Sequence, residues 1–188
     1  QPLPGYREPK PMVFAGVYPT DSDQFSDLGD ALERLRLNDA ALTFAKENSR
    51  ALGFGYRCGF LGLLHMDIVQ ERLEREYGLD LVFTAPNVVY EVLTDRGETV
   101  YVHNPSDMPD MGSLREVREP YVQATVLVPP DHLGGVLELI KERRGIYQDQ
   151  TFLSGRRVEL RCRLPLAEIV VDFYDQLKSR SRGYASLD

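Results

Sequence analysis

The hydrophobic positions along this chain change their spacing in a fixed order, and that order predicts the fold. Segments with apolar residues at alternate positions, typical of strands, are separated by segments with apolar residues every three or four positions, typical of helices. The first helical segment shows the second spacing at Phe25, Leu28, Leu32 and Leu35. The pattern predicts strand, helix, strand, strand, helix, strand over residues 11–93, and the same order again over residues 119–188.

Two consecutive β-α-β-β-α-β units predict an α+β protein with two tandem ferredoxin-like domains. In that sandwich, two helices lie on one face of a four-stranded antiparallel sheet. Gln1–Pro11 contains four prolines, so we expect residues 1–10 to be a linker from an upstream domain. Residues 94–118 are rich in Pro, Gly, Asp and Asn, and we expect an insertion or connector there, with one short strand at residues 99–103.

Local signals predict where the strands and helices begin and end. In the first domain we expect strands at residues 12–18, 41–46, 51–58 and 81–93, with a turn at 47–50 and a break at Pro86. In the second domain we expect strands at residues 121–128, 146–152, 157–163 and 183–188, with a hairpin turn at Ser154-Gly155. The first helix of the second domain should begin at Pro129-Pro130 and end with Gly145 as its C-terminal cap.

The stretch Gly53–Tyr77 connects a glycine-containing strand to a helix and holds the residues most suggestive of chemistry. Cys58 and His65 could supply a thiol nucleophile and a base, but no third residue that would orient the base occurs at a recognisable spacing. We therefore predict no catalytic residue here; fast alkylation of Cys58 would favour the enzyme alternative. Gly59 and Gly62 are expected to let the backbone approach its neighbours closely. The helix is expected to pack four residues against the sheet: Leu61, Leu64, Ile68 and Leu73.

Composition excludes several kinds of site. The chain has 188 residues, a formal net charge of −7 and two cysteines, Cys58 and Cys162, far apart in the sequence. Their spacing excludes a disulfide framework and a CxxC zinc site, and three scattered histidines predict no metal site. No Gly-x4-Gly-Lys-Ser/Thr sequence occurs, so we predict no nucleotide or other cofactor on these residues. No apolar run approaches the roughly 18 residues of a membrane span, and a reducing cytoplasm is expected.

The charge is unevenly distributed along the chain. Residues 1–120 contain 12 basic and 20 acidic residues, whereas residues 121–188 contain 10 and 9. Basic side chains neutralise phosphates in nucleic-acid complexes, and Ser179 and Ser181 could donate further hydrogen bonds to phosphate. The alternative is that these cations only solubilise the surface. We predict that folded RNA is contacted by a basic set in the second domain: Arg156, Arg157, Arg161, Arg163, Lys178, Arg180 and Arg182.

Four stretches carry a more specific signal: residues 10–19, 51–67, 166–179 and 182–188. They closely resemble the elongation factor 4 (LepA) family of bacterial translational GTPases, which is related to elongation factor G. The sequence Gly62-Leu63-Leu64-His65-Met66-Asp67 favours this family, because elongation factor G has a Gly-Glu-Leu-His-Leu-Glu type of motif there. By this resemblance, residues 11–93 are similar to domain III of the family and residues 119–188 to domain V, both of them ferredoxin-like.

The resemblance implies a ribosome-binding, non-enzymatic part of a GTPase that back-translocates or remobilises ribosomes to support accurate protein synthesis. The implied partners are ribosomal RNA and proteins near the GTPase-associated centre, and the GTPase domain of the same parent chain, with no stable oligomer. GTP and magnesium are implied for the parent only. The family also implies a cytoplasmic location, with peripheral association with the cell membrane. The alternative is a tandem ferredoxin-like ligand-sensing module without ribosome contact, which a stabilising ligand would reveal.

Overall fold

The computed structural model describes residues 10–153 and 156–188, so the expected linker, apart from its last residue, and the Ser154-Gly155 turn lie outside the described residues. The chain divides into two compact units. One comprises the residues up to Val89 together with Val102–Met108, and the other comprises Tyr90–Tyr101 together with Pro109–Asp188. Each unit contains one β-α-β-β-α-β sandwich, which confirms the predicted α+β class with two ferredoxin-like folds.

The first unit is a sheet with two helices. Its elements are β1 (Val13–Pro19), α1 (Phe25–Arg36), β2 (Thr43–Ser49), β3 (Gly53–Phe60), α2 (Leu63–Tyr77), β4 (Leu81–Phe83) and β5 (Asn87–Val88). The strand order is β2-β3-β1-β4, with β5 also paired to β1, and these pairings are antiparallel. The buried residues of α1 all have the predicted helical spacing: Leu28, Ala31, Leu32 and Leu35.

The stretch expected to be one interrupted strand and a connector contains three further strands. They are β6 (Tyr90–Thr94), β7 (Thr99–Val102) and β8 (Leu114–Arg118), which form a sheet in the order β7-β6-β8. The expected break at Pro86 is confirmed, because β4 ends at Phe83 and β5, which begins at Asn87, still pairs with β1. The expectation that the strand continues to residue 93 in this sheet is wrong, because β6 pairs with β8 in a separate sheet.

The second unit repeats the topology of the first. Its elements are β9 (Tyr121–Val128), α3 (Leu133–Glu142), β10 (Ile146–Leu153), β11 (Arg157–Pro165), α4 (Leu166–Arg180) and β12 (Ser186–Leu187). The order β10-β11-β9-β12 matches that of the first sheet, position by position. Strand β11 alternates as predicted, because its inward side chains are fully buried: Val158, Leu160, Cys162 and Leu164.

Helix α2 presents a different face to the sheet from the one predicted. Three of the four residues expected to be packed are exposed: Leu61 (46%), Leu64 (74%) and Ile68 (47%). Leu73 is buried as predicted, together with Val69. The prediction was wrong because this segment has two apolar stripes at helical spacing, and spacing alone does not show which stripe faces the core.

Two of the glycine predictions have opposite outcomes. A Cβ atom on Gly59 would lie 2.5 Å from Thr43 Oγ1 and 2.7 Å from Phe14 Cε1, so the predicted close approach is confirmed. A Cβ atom on Gly62 would meet nothing within 4 Å, so the expectation that the backbone closely approaches a neighbour at Gly62 is wrong. Gly62 instead has an extended backbone and is the N-cap residue of α2.

The end of α3 and the first hairpin also differ from the prediction. Helix α3 ends at Glu142 rather than at Gly145, and the residue with a left-handed backbone after it is Arg144, with φ of 54°. Position 145 has no room for a side chain, because a Cβ on Gly145 would lie 2.5 Å from Ile140 Cγ2. In the first unit, β2 continues to Ser49 instead of ending at residue 46. The turn therefore begins at Arg50.

Candidate nucleic-acid interface

The His65 side chain joins two turns of the first unit at the start of α2. Its Nδ1 accepts a hydrogen bond from the Leu61 backbone N–H at 3.0 Å, and its Nε2 lies 2.6 Å from Asp39 Oδ2. Because Nδ1 is an acceptor, the proton of the neutral imidazole is on Nε2, which donates to the carboxylate. Asp39 also accepts from the Ala41 backbone N–H at 3.2 Å. The arrangement fixes the corner between β3 and α2.

This geometry does not support nucleophilic catalysis by Cys58. The Cys58 side chain is fully buried, and its thiol donates to the Tyr56 carbonyl oxygen at 3.8 Å. Burial raises the pKa of the Cys58 thiol, so the reactive thiolate is disfavoured. Both ring nitrogens of His65 already have partners in Leu61 and Asp39, so neither is available as a base for Cys58.

Sequence reasoning missed Asp39, the residue that orients His65. Asp39 lies 26 positions before His65 in the chain, in the turn that follows α1. Its bond to the backbone two residues later is the ordinary local behaviour of an aspartate in a turn. Such a bond predicts a turn at Asp39 and gives no signal of a long-range partner, so the pairing could be found only from the fold.

The predicted basic residues of the second unit form two groups on different layers. Arg157, Arg161 and Arg163 point away from α3 and α4, on the outward face of β11, because the residues between them face the core. Arg161 Nη2 lies 2.8 Å from Glu159 Oε1. Arg163 lies 5.5 Å from the centre of the Tyr121 ring, a distance at which a cation is attracted to the ring.

The second group lies at the C-terminal end of α4 and is largely engaged by the protein itself. Lys178 Nζ donates to the Ala185 carbonyl oxygen at 2.6 Å, and Arg180 pairs with Glu142. Cations at a helix C-terminus also interact favourably with the helix dipole. The prediction that Ser181 donates to phosphate is wrong, because this residue is buried and its hydroxyl donates to the Leu177 carbonyl oxygen at 2.8 Å.

The structure thus separates the seven predicted residues by what already binds them. Arg161 and Arg180 form ion pairs with acidic residues of the same unit. Arg156 and Arg182 lie in turns with φ of 65° and 51°. Within residues 10–153 and 156–188, five of the seven have no carboxylate partner: Arg156, Arg157, Arg163, Lys178 and Arg182. Contact with RNA by any of the seven stays a prediction.

Two other classes of site find no support in the same residues. Nowhere in the described part of the chain do three His, Cys, Asp or Glu residues come together in a group that could hold a metal ion. Among the helices that the structure describes, none combines the length and the apolar character needed to cross a bilayer.

Comparison with known proteins gives a consistent set of relatives. The family described as Elongation factor G C-terminus matches residues 116–188. The chain is 58% identical to the Elongation factor 4 of Acaryochloris marina, 56% to that of Acetivibrio thermocellus and 57% to that of Limosilactobacillus reuteri. Each alignment covers 100% of this chain and 31% of the relative. The chain therefore spans about a third of the length of these relatives.

A solved structure supports the fold independently of close sequence similarity. A crystal structure of a protein from Thermus thermophilus superimposes with a TM-score of 0.54 at 19% sequence identity. The superposition covers 98% of this chain and 40% of that chain. At this level of identity the likeness concerns the fold alone.

Proposed function

We propose that the chain is a ribosome-binding part of a translational GTPase of the elongation factor 4 family, and that its second unit contacts ribosomal RNA. The family part of this proposal is supported by the match of the whole chain to proteins named Elongation factor 4. The observation that carries this proposal is the outward face of β11, where Arg157 and Arg163 have no carboxylate partner among the described residues. Arginines left free in this way can neutralise phosphates without first breaking an ion pair.

The activity of the whole factor is a further part of the proposal. We place GTP hydrolysis outside these residues, because the 188-residue sequence has no Gly-x4-Gly-Lys-Ser/Thr loop that could cradle the phosphates. The residues present therefore do not fit GTP with magnesium, and we assign them no step of hydrolysis. Their role would be to bind the factor to the ribosome in the cytoplasm and to orient it there, so that the factor can back-translocate or remobilise the ribosome.

The test is a reversal of charge on the outward face of β11 in the intact protein. Replacing Arg157→Glu together with Arg163→Glu should weaken co-sedimentation with ribosomes at moderate salt, because two phosphate contacts are lost and replaced by repulsion. The slope of log affinity against log salt concentration should fall by about one unit for each lost contact. The measurement is a salt titration of ribosome binding by the wild-type and variant proteins.

Two further variants make the result specific. Lys141→Glu changes the charge of the same unit on α3, on the helix side of the sheet, and should leave the salt slope unchanged. Arg161→Gln removes an arginine that already pairs with Glu159, and its effect should be smaller than that of Arg157→Gln. Equal salt slopes for the wild type and the double variant would contradict the proposed RNA contact.

A further inference from the structure

The sheet of the second unit ends in a strand whose outer edge is free. Strand β10 is the first in the order β10-β11-β9-β12, and among the described residues it pairs only with β11. In an antiparallel sheet, alternate residues of such an edge strand direct their N–H and C=O groups away from the sheet. All eight residues of β10 are exposed, whereas the opposite edge strand, β12, has only two residues. The free edge of β10 is therefore long enough to pair with another strand.

Half of the side chains of β10 are apolar, yet they do not enter the core. Ile146, Tyr147, Phe152 and Leu153 are between 40% and 66% exposed. In the part of the chain that the structure describes, the core of the second unit is formed by β9, β11, α3, α4 and residues next to or in β12, with no residue from β10. Apolar side chains on a free edge favour contact with a further strand.

The equivalent strand of the first unit shows what β10 lacks. Strand β2 is the corresponding edge in the order β2-β3-β1-β4. Counted from the buried cysteine of the neighbouring strand, Lys46 and Asn48 of β2 occupy the positions of Gln150 and Phe152 of β10. A lysine on an edge strand opposes pairing with another strand. Strand β10 contains no lysine and no proline, so its edge lacks this protection.

A β-bulge protects only the beginning of β10. The pairing with β11 shifts register between Tyr147 and Asp149, and a bulge twists an edge away from regular pairing. From Asp149 to Leu153 the register is regular, opposite Arg161 to Arg157. The part of the edge that can accept a strand is therefore Asp149–Leu153.

The hairpin that carries this edge is positively charged. Residues 146–163 contain four arginines and two acidic residues, a net charge of +2. One of the arginines, Arg161, pairs with Glu159. Arg157 lies directly opposite Leu153 and has no carboxylate partner among the described residues. A segment that pairs with β10 is therefore attracted if it carries acidic side chains on the face of the sheet that holds these arginines.

We propose that Asp149–Leu153 binds an extended segment of another polypeptide by strand addition. The segment alternates apolar and acidic residues, because successive side chains of a strand point to opposite faces. Its apolar side chains lie on the face of Gln150 and Phe152, and its acidic side chains lie on the face of the β11 arginines. Its backbone provides donors and acceptors at the spacing of the strand edge, which RNA does not. The inference does not depend on the RNA contact, because it uses the backbone edge of β10.

The test is hydrogen exchange of the isotopically labelled 188-residue chain, followed by NMR, with and without the capped peptide acetyl-Val-Glu-Val-Glu-Val-Glu-amide. We expect the peptide to protect alternate amides within residues 149–153, because only every second N–H points to the free edge. The same peptide with lysine in place of glutamate should bind at least roughly 5-fold more weakly. Equal binding of both peptides, or protection without this alternation, would overturn the proposal.

Matched variants locate the binding. Phe152→Asn introduces the residue found at the equivalent position of the first unit, and it should weaken peptide binding roughly 5-fold because an apolar contact is lost. Phe54→Asn is the control, because Phe54 is similarly exposed, 63% against 66% for Phe152, but lies on β3, which is not an edge strand. It should leave binding unchanged, and the spectra report whether each variant is folded.

Three results would contradict strand addition by a separate acidic segment. They are equal effects of the Phe152 and Phe54 variants, protection of the same amides by an oligouridine RNA, and the same protection on raising the concentration of the chain without peptide. The last would identify a second copy of the chain as the occupant. A failed RNA contact on β11 would leave the proposal standing, because the peptide titration contains no ribosome.

Discussion

The two units place the same fold in two different surroundings. In each, the third strand of the sandwich buries a cysteine opposite an alanine of the first strand, Cys58 opposite Ala15 and Cys162 opposite Ala124. The position before the cysteine is an arginine in both, Arg57 and Arg161. The cysteines that looked like separate chemical features in the sequence are therefore one repeated core position.

The outward faces of these equivalent strands differ. On β3, the outward positions on either side of Arg57 are Gly55 and Gly59, and aromatic side chains cover both of them. Arg57 itself donates to the His103 carbonyl oxygen at 2.9 Å, from a segment that packs on the first unit. On β11, the corresponding outward positions are Glu159 and Arg163. The inward pattern therefore sets the topology, whereas the outward residues decide whether a face is covered or left for a partner.

The largest expected effect comes from filling the glycine positions that permit close packing. A Cβ on Gly55 would lie 2.4 Å from Tyr18 Cδ1 and 2.5 Å from the Val17 carbonyl oxygen. Because a backbone oxygen cannot move aside cheaply, Gly55→Ala should lower the free energy of unfolding by about 2–3 kcal/mol. Gly145→Ala in the second unit should have a similar cost, since its Cβ would meet Ile140 at 2.5 Å. Urea unfolding curves measure both changes.

Gly134→Ala is the matched control for these substitutions. Gly134 is in α3, and a Cβ there would meet nothing within 4 Å. Alanine has the higher helix propensity, so this variant should be more stable than the wild type by up to about 1 kcal/mol. An unchanged stability of Gly55→Ala would contradict the close-packing explanation, and a loss of stability in Gly134→Ala would show that alanine is unfavourable even where a Cβ meets no other atom.

These positions also show how far the sequence could predict the fold. The alternating and helical spacing of apolar residues predicted both sandwiches. This was possible because a strand or helix with one buried face has apolar residues at a regular local spacing in the sequence. The face of α2 that packs on the sheet could not be predicted, since Leu64 and Leu73 lie on stripes that are equally apolar. The basic residues of β11 were visible as a group, but which of them were already paired depended on Glu159 and Glu142, and only the fold brings those partners near.

A smaller loss of stability is expected from breaking the hydrogen bonds of His65 at the corner between β3 and α2 of the first unit. His65→Ala removes the acceptor for the Leu61 N–H and the donor to Asp39. The side chains of His65 and Asp39 are 14% and 26% exposed, so the loss should be about 1–2 kcal/mol of unfolding free energy, typical of hydrogen bonds that involve a charged group and are partly screened by solvent. Combination with Asp39→Ala should be less than additive in urea unfolding, because both changes remove the same contact.

His132→Ala provides the comparison in the second unit. His132 stacks on Tyr184 with centroids 6.1 Å apart, and its ring forms no hydrogen bond to any residue in the described ranges. The expected loss is below about 0.5 kcal/mol, as for most surface substitutions. Fully additive effects of the Asp39 and His65 variants would mean that the bond between them does not stabilise the corner.

Apart from the control variants, the smallest expected effect is the pH dependence of stability that the two equivalent buried cysteines should produce. Burial raises the pKa of the Cys162 thiol to about 11 and also raises that of Cys58, whereas both thiols ionise near pH 8.5 in an unfolded chain. Above that pH the unfolded state binds fewer protons than the folded state, so stability is full below about pH 8 and falls as the pH rises. Between about pH 8 and 9.5, each thiol should contribute a loss of about 1 kcal/mol. Cys58→Ala and Cys162→Ala should each reduce this slope by the same amount in urea unfolding, because the two thiols occupy equivalent positions. A slope that only one of the two variants changes would show that the units differ at their cores as well as on their outward faces.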